Sequence, residues 1–495
     1  MRVHYLLRTC GAALAAPDAA DPLGSPLLAH DDRLWRSLAY LLADPTCSPS
    51  RRAELAAVAL PVSVTDQAQL PARFGGIGLA GAVLLWASAH LAGAAACLPY
   101  LAAHADAFCL PPAAFDLASA SPLPYVAGLE VSLRALHVQS AAARVALPCL
   151  ASLLSDSTHR WSQHRISEGV FAGLRSALLE QQLDDRQRAR LLSAGGQQAG
   201  AWLCVFPVSV WSTMRARHYQ LALRMRLGCV IPELQALLAA ARPCWCGAAL
   251  DVYGFHPGLC RAGNRSALWA TRHDAVQTML VHLLRSMRLS AVVCSSGAGG
   301  GWFGPAGFRA GSSRARAADV VMRHALGRGR HCFLDVAVTS PDTGAALAAR
   351  PSSAVTCGVA AEQRAARKQQ KYGPLAAGVG GVFVPVVLER FGAMCDRLVG
   401  LLLLLCGDRE RDAARCEDYT SFARSRITYV AGLLGLAAAA ADAAMLEHAI
   451  ALTGVPRATA RAGGWTGIPD RLAQRDVEGV GGQAWYEGPR DGLCV

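Results

Sequence analysis

Four side chains of the kind that bind metal fall within one short stretch, and nothing else in the sequence restricts the fold so tightly. From Cys244 to Cys260 the residues read CWCGAALDVYGFHPGLC, so one residue separates Cys244 from Cys246, nine separate Cys246 from His256, and three separate His256 from Cys260. Thiolates and imidazole suit a closed tetrahedral Zn²⁺ site, and Gly247, Gly254 and Gly258 supply the tight turns that would fold them onto one centre. Protein fills all four positions and leaves none for a reacting water. A Zn²⁺ ion held here organises the chain or touches a nucleic acid rather than doing chemistry. The plainer alternative is a turn with free buried cysteines.

A second feature lies downstream. The chain has 48 Lys plus Arg residues, and its only two lysines are Lys368 and Lys371. The net charge of +12 suits a polyanionic partner such as nucleic acid. The 17 cysteines are scattered along 495 residues, which predicts a reducing intracellular compartment. Three apolar stretches, Ile77 to Ala103, Leu398 to Cys406 and Ile427 to Met445, read as buried helices rather than membrane spans. The first is interrupted by His90 and Pro99, the second is too short, and the third is Ala-rich and carries Asp442.

Taken in order, the sequence predicts an α+β protein. Residues 1–235 read as mostly helical, with Leu34, Leu38, Leu41 and Leu42 at helical spacing and a chain reversal at Gly75-Gly76 within QAQLPARFGGIGL. A small zinc knuckle occupies 236–265, an α/β core with a short mixed sheet 266–405, and a helical, then poorly ordered, tail 406–495. Arg272-His273-Asp274 opens a helix with Val276, Leu280, Leu283, Leu284 and Met287 on one face; there Asp274 reads as first-turn charge and His273 as an ordinary histidine. The Gly-rich run 295–313 reads as a linker. Strands follow at Ala318 to Met322 and Cys332 to Thr339, and alternation puts Asp335 on one face of the second with Phe333 and Ala337. An aspartate within an apolar strand is costly unless it is paired or binds metal.

Two carboxylates on neighbouring strands, Asp319 and Asp335, together with a lysine are what metal-assisted phosphodiester hydrolysis needs. The acids hold Mg²⁺, and the ammonium orients water or offsets negative charge. The position two residues after Asp335, where a PD-(D/E)-x-K site has its lysine, is Ala337. The segment Val359 to Tyr372 can supply the cation instead, since Lys368 and Lys371 are neighbours on a helical surface. Arg364, Arg367 and Lys371 on the same segment are candidate nucleic-acid contacts. Glu362 falls off that face.

Several of these segments resemble one family. HYLLRT, QAQLPARFGGIGL, AWLCVFP and ALRMRLG are similar to the helical thumb and linker that follow the polymerase site in non-LTR retrotransposon polyproteins. The knuckle, the Arg272-His273-Asp274 triplet, Ala318-Asp319, Asp335-Val336-Ala337-Val338, Lys368-Gln-Gln-Lys371-Tyr372, and Phe383-Val-Pro385 with Glu389 resemble the zinc knuckle and restriction-enzyme-like endonuclease of the same elements. The resemblance implies a Mg²⁺-dependent enzyme that nicks target DNA to prime reverse transcription. Its partners would be that DNA and the element RNA, and its location the nucleus. The paired aspartates of a polymerase palm are missing, and Asp31-Asp32 does not supply them. Ala318 stands where the family has Pro, and Cys294-Ser295-Ser296 where an acid is often found. The alternative function is a decayed, zinc-containing nucleic-acid-binding remnant without nuclease activity.

Overall fold

The structure is a computed structural model that describes residues 24–43, 47–111, 115, 124–141, 146–155, 161–260, 266–293, 318–326, 330–413 and 425–453. The expected linker 295–313 and the Gly-rich end of the tail lie outside the described residues.

The N-terminal half is helical. Its principal helices are α1 (Gly24–Leu42), α2 (Val62–Gln69), α3 (Ala82–Ala103), α4 (Gln163–Ala177), α5 (Asp185–Ala194) and α6 (Ala216–Leu227). Leu38 and Leu42 of α1 are buried, whereas Leu41 faces solvent. Asp31 has a structural task. Its carboxylate accepts the N–H groups of Ala82 and Val83 at 2.7 and 3.0 Å, satisfying donors that the first turn of α3 cannot satisfy itself. The reversal at Gly75-Gly76 is held by a buried arginine from α6. Arg226 donates to the carbonyls of Ala72, Gly76 and Ala194, and Gly75 adopts φ 95°. A Cβ on Gly76 would lie 2.0 Å from the Leu70 carbonyl oxygen.

Helix α3 runs unbroken through His90 and Pro99, which corrects the expected interruption. His90 is tolerated because the Ser132 hydroxyl meets its Nδ1 at 2.8 Å, and Pro99 costs the helix only the one ladder bond that its missing N–H would have made to the Ala95 carbonyl. Burial holds the His90 imidazole down at about 4, against an ordinary 6.5. Between those two values the unfolded chain binds a proton that the native state refuses. Stability should therefore fall as pH drops from 6.5 towards 4, by up to ~1.4 kcal/mol per pH unit. Urea midpoints measured across that window should fall less steeply in His90→Gln. Equal slopes in the two chains would remove His90 as the cause.

The second half builds one layer of sheet between helices. Helix α7 (Ser266–Ser286) leads into β1 (Ala291–Val293), β2 (Val320–Leu326) and β3 (Arg330–Thr339). Helix α8 (Val359–Gly378) then crosses to β4 (Val382–Glu389), followed by α9 (Asp396–Ala413) and α10 (Arg426–Thr453). The sheet order is β1-β2-β3-β4, with the first two pairings antiparallel and β3-β4 parallel. A parallel pair requires a crossover, and α8 is that crossover. The protein is thus α+β with a small mixed sheet. Strand β2 begins at Val320 rather than Ala318 and β3 at Arg330 rather than Cys332; β1 was not expected. Helix α7 starts at Ser266, so the Arg272-His273-Asp274 triplet lies inside it, not at its head.

Both faces of β3 are covered. Cys332, Leu334 and Val336 join a core with Trp202, Val276 of α7 and Leu434 of α10, whereas Phe333 packs with Val321, Phe383 and Ala376 of α8. The larger core draws on α6, α7, the sheet, α9 and α10 together, so the packing runs across the boundaries expected at 235, 265 and 405. The tail expected after 405 contributes a central helix. Helices α3 and α10 are long and apolar enough to cross a membrane by length and composition. Within the protein, however, 67% and 72% of their most apolar windows are buried.

Candidate functional site

Register brings the two acids together. Val320 pairs with Leu334 across the antiparallel β2-β3 ladder, and one further residue along that register places Asp319 opposite Asp335. The Asp319 N–H donates to the Leu334 carbonyl at 2.8 Å, and its Oδ2 accepts the Val336 N–H at 2.7 Å. The two carboxylates lie within hydrogen-bonding reach of one another. Lys368 arrives from α8, and its Nζ donates to Asp335 Oδ2 and, at 3.4 Å, to the Val336 carbonyl. Helix α8 starts where it does because Glu389, at the end of β4, accepts the N–H groups of Ala360 and Ala361 at 2.9 and 3.1 Å. The strand that pairs with β3 therefore also anchors the helix that delivers the lysine.

The charge states follow from this packing. Burial pushes Asp335 up to about 6, helped by the neighbouring Asp319 and opposed by Lys368. Burial would raise Asp319 as well, but the His273 imidazole, Asp335 and the Val336 N–H together hold it below the ordinary carboxylate value. His273 donates from Nε2 to Asp319 Oδ2 at 2.9 Å and from Nδ1 to Asp274 Oδ1 at 3.0 Å. The bond to Asp319 pushes its imidazole up to about 9 against the cost of burial. His273 is therefore not an ordinary histidine, and Asp274, which is exposed, supports it from behind. Lys371 does not join the group. It is exposed, with its Nζ 4.7 Å from the centre of the Tyr372 ring. Glu362 also stands apart, accepting the Asp396 N–H.

The Cys/His cluster forms a second centre. One ligand atom from each of Cys244, Cys246, His256 and Cys260 lies within 4.8 Å of the others, and the set could hold a metal ion such as zinc. Cys244 and Cys260 are buried with Leu250, and burial raises the Cys244 thiol to about 12. Binding a cation would remove that proton. Asp251 shapes the return of the chain by accepting the N–H groups of Tyr253, Phe255 and His256 at 2.7 to 3.0 Å. Gly247 and Gly254, at φ 89° and 76°, make the two turns.

If the cluster is saturated, chelation should cost the protein roughly 4 kcal/mol at a metal concentration about 1,000 times Kd. Thermal melts with and without chelator, together with metal content of Cys260→Ser, check this. An unchanged melt and no bound metal in the parent would eliminate the site.

A cleft of about 1000 Å³ runs from the Cys/His cluster to His273, and Asp319, Asp335 and Lys368 are not among its lining residues. Cys246 and His256 of the cluster, His273, the Val336 to Thr339 end of β3, and Arg364 and Arg367 of α8 all line it, with Arg186 and Arg350 adding charge. The candidate contacts Arg364 and Arg367 thus face a shared basic cleft. Lys371 is not among its lining residues.

The sequence marked Arg272 only as a member of the triplet and gave it no role of its own. It is buried, pairs with Asp442 of α10 at 2.8 Å, and lies 4.5 Å from the centre of the Trp269 ring. Its signal was Asp442, an acid within the Ala-rich run of α10. No protein-family model matches the chain, and no curated protein matches it.

Proposed function

We propose that this chain is a metal-dependent DNA endonuclease with a restriction-endonuclease-like core, the carboxy-terminal part of a non-LTR retrotransposon polyprotein. The observation that carries the reading is the meeting of Asp319, Asp335 and Lys368 beside an arginine-lined cleft. Burying Asp335 beside the half-buried Asp319 is itself a cost, and Asp335 raised to about 6, first by burial and then by Asp319, expresses it. A divalent cation would relieve that cost, and the oxygen donor set suits Mg²⁺. When bound, the cation supplies charge to a phosphate oxygen and acidifies the attacking water.

The residues of the chain do the rest. Asp319 and Asp335 would hold the cation. Lys368, held against Asp335 Oδ2 and the Val336 carbonyl, would offset the extra negative charge that develops on the phosphate. Water attacks phosphorus, the P–O3′ bond breaks, and a 3′-hydroxyl and a 5′-phosphate result. Arg364 and Arg367 hold the DNA backbone, with Lys371 outside the cleft as a further contact. The Cys/His cluster, which would hold Zn²⁺, contributes Cys246, His256 and Cys260 to the lining of the cleft. The element RNA is the second nucleic-acid partner and the nucleus the place of action.

Supercoiled plasmid incubated with Mg²⁺ tests the reading. The parent should nick it and Asp335→Ala should not. Salt-sensitive DNA binding without cleavage in any divalent metal would instead favour the decayed, binding-only alternative.

A further inference from the structure

Asp319 has more ordered contacts than a strand-end carboxylate needs. Its backbone N–H is tied to Leu334 and its carbonyl oxygen accepts from Gln277 Nε2 at 2.9 Å. Its Oδ2 takes two donors, the Val336 N–H and His273 Nε2. His273 and Gln277 are four residues apart on α7, so one helical face grips both the main chain and the side chain of this residue. Behind the ring, Asp274 Oδ1 accepts from Nδ1. A histidine flanked by two carboxylates must donate from both nitrogens and is fixed in orientation by doing so.

A carboxylate oxygen that accepts two hydrogen bonds has little capacity left for a cation. With Oδ2 of Asp319 taken by α7 and β3, and Oδ2 of Asp335 taken by Lys368, the oxygen left on each acid is Oδ1. The side-chain torsion of Asp319 is set by this arrangement. We propose that His273, steadied by Asp274, is a positioning residue that presents Oδ1 of Asp319 to the divalent cation. The inference rests on the endonuclease reading for its consequence, but its first effect is on metal binding. It also gives the Arg272-His273-Asp274 triplet a division of labour. Arg272 locks α7 to α10, and His273 with Asp274 joins α7 to the acids.

The test uses the full chain with its Cys/His cluster loaded with zinc and follows Mn²⁺ binding by calorimetry, beside nicking as a function of Mn²⁺ concentration. Asp335→Asn identifies which binding signal belongs to the acids. His273→Ala should weaken that binding by about 10–100-fold, the usual cost of losing a group that orients a ligand. The metal needed for half-maximal nicking should rise by the same factor, with the rate at saturating Mn²⁺ little changed. His273→Gln, whose amide can still donate to Asp319, should recover part of the affinity, and Asp274→Asn should lose only a little. These two variants carry the test if His273→Ala does not fold.

Unchanged Mn²⁺ affinity in folded His273 variants would overturn the inference. So would a rate lost at saturating metal with affinity intact, because that would put His273 in the chemistry. If the parent binds Mn²⁺ at the acids but nicks nothing, the endonuclease reading fails and the inference is decided by affinity alone. If the acids bind no Mn²⁺, both are overturned.

Discussion

Lys368→Ala should slow Mg²⁺-dependent nicking by about 10²–10³-fold, the scale of losing one charge aimed at a transition state. Asp335→Asn should abolish it. Lys368→Arg should not restore the rate, because a planar guanidinium does not reproduce a compact ammonium held between Asp335 Oδ2 and the Val336 carbonyl. Lys371→Ala should weaken DNA binding but leave the rate at saturating DNA nearly unchanged, because its ammonium lies over Tyr372 and not on the acids. Stability separates a functional acid from a structural one. Asp335 binds its proton up to about 6 in the folded chain but ordinarily only to 3.8. Its contribution is therefore full below 3.8 and is lost as pH rises through 6. Asp335→Asn lacks that loss, so its melting temperature relative to the parent should climb between pH 4 and 6 and level off above. Melts from pH 4 to 8 beside the nicking assay check both halves. If Asp335→Asn nicks like the parent, or loses stability across that range, Asp335 is not a strained functional acid.

The legibility of this site in the sequence had physical limits. Spacing was enough for the Cys/His cluster, because four ligands within two turns can converge only on one centre. Period two found the buried strand and placed Asp335 on the Phe333 face, which is the face α8 covers. The missing lysine at Ala337 then pointed to α8, and Lys368 lies against Asp335. What the sequence could not reveal were contacts whose partners lie far apart in it. His273 looked like any helical histidine because Asp319 is 46 residues away, and the triplet was placed at a helix head, where its acid had a sufficient local reason. Lys371 was joined to the site on adjacency to Lys368. On a helix three residues leave side chains about 60° apart and one turn along the axis, and that offset takes one lysine to the acids and leaves the other over Tyr372. The tail was set apart because its composition is bland, yet a small residue is what lets α10 lie close to the turn carrying Trp202. A Cβ on Gly432 would be 2.9 Å from the Ala201 carbonyl oxygen.

Arg272→Ala should cost the fold about 3–5 kcal/mol, because it leaves Asp442 as a buried charge without its cation. Arg272 and Asp442 are 2% and 1% exposed as side chains, and they connect the helix that carries His273 to the helix read from sequence as a buried one at Ile427 to Met445. The two single variants and the pair Arg272→Met with Asp442→Leu form a cycle in urea. Either single change should destabilise strongly, and the double change should recover most of the loss, since an apolar pair of similar size avoids the desolvation that the ion pair must offset. Removal of α10 should be worse than any of these, because it uncovers Val276 and the inner face of the sheet as well. A chain ending before Arg426 should then lose nicking through loss of the fold, with Asp319, Asp335 and Lys368 all still present in sequence. Single variants that each cost less than about 1 kcal/mol would mean that α10 rests on the core without being part of it, and that truncated chain should then keep its activity.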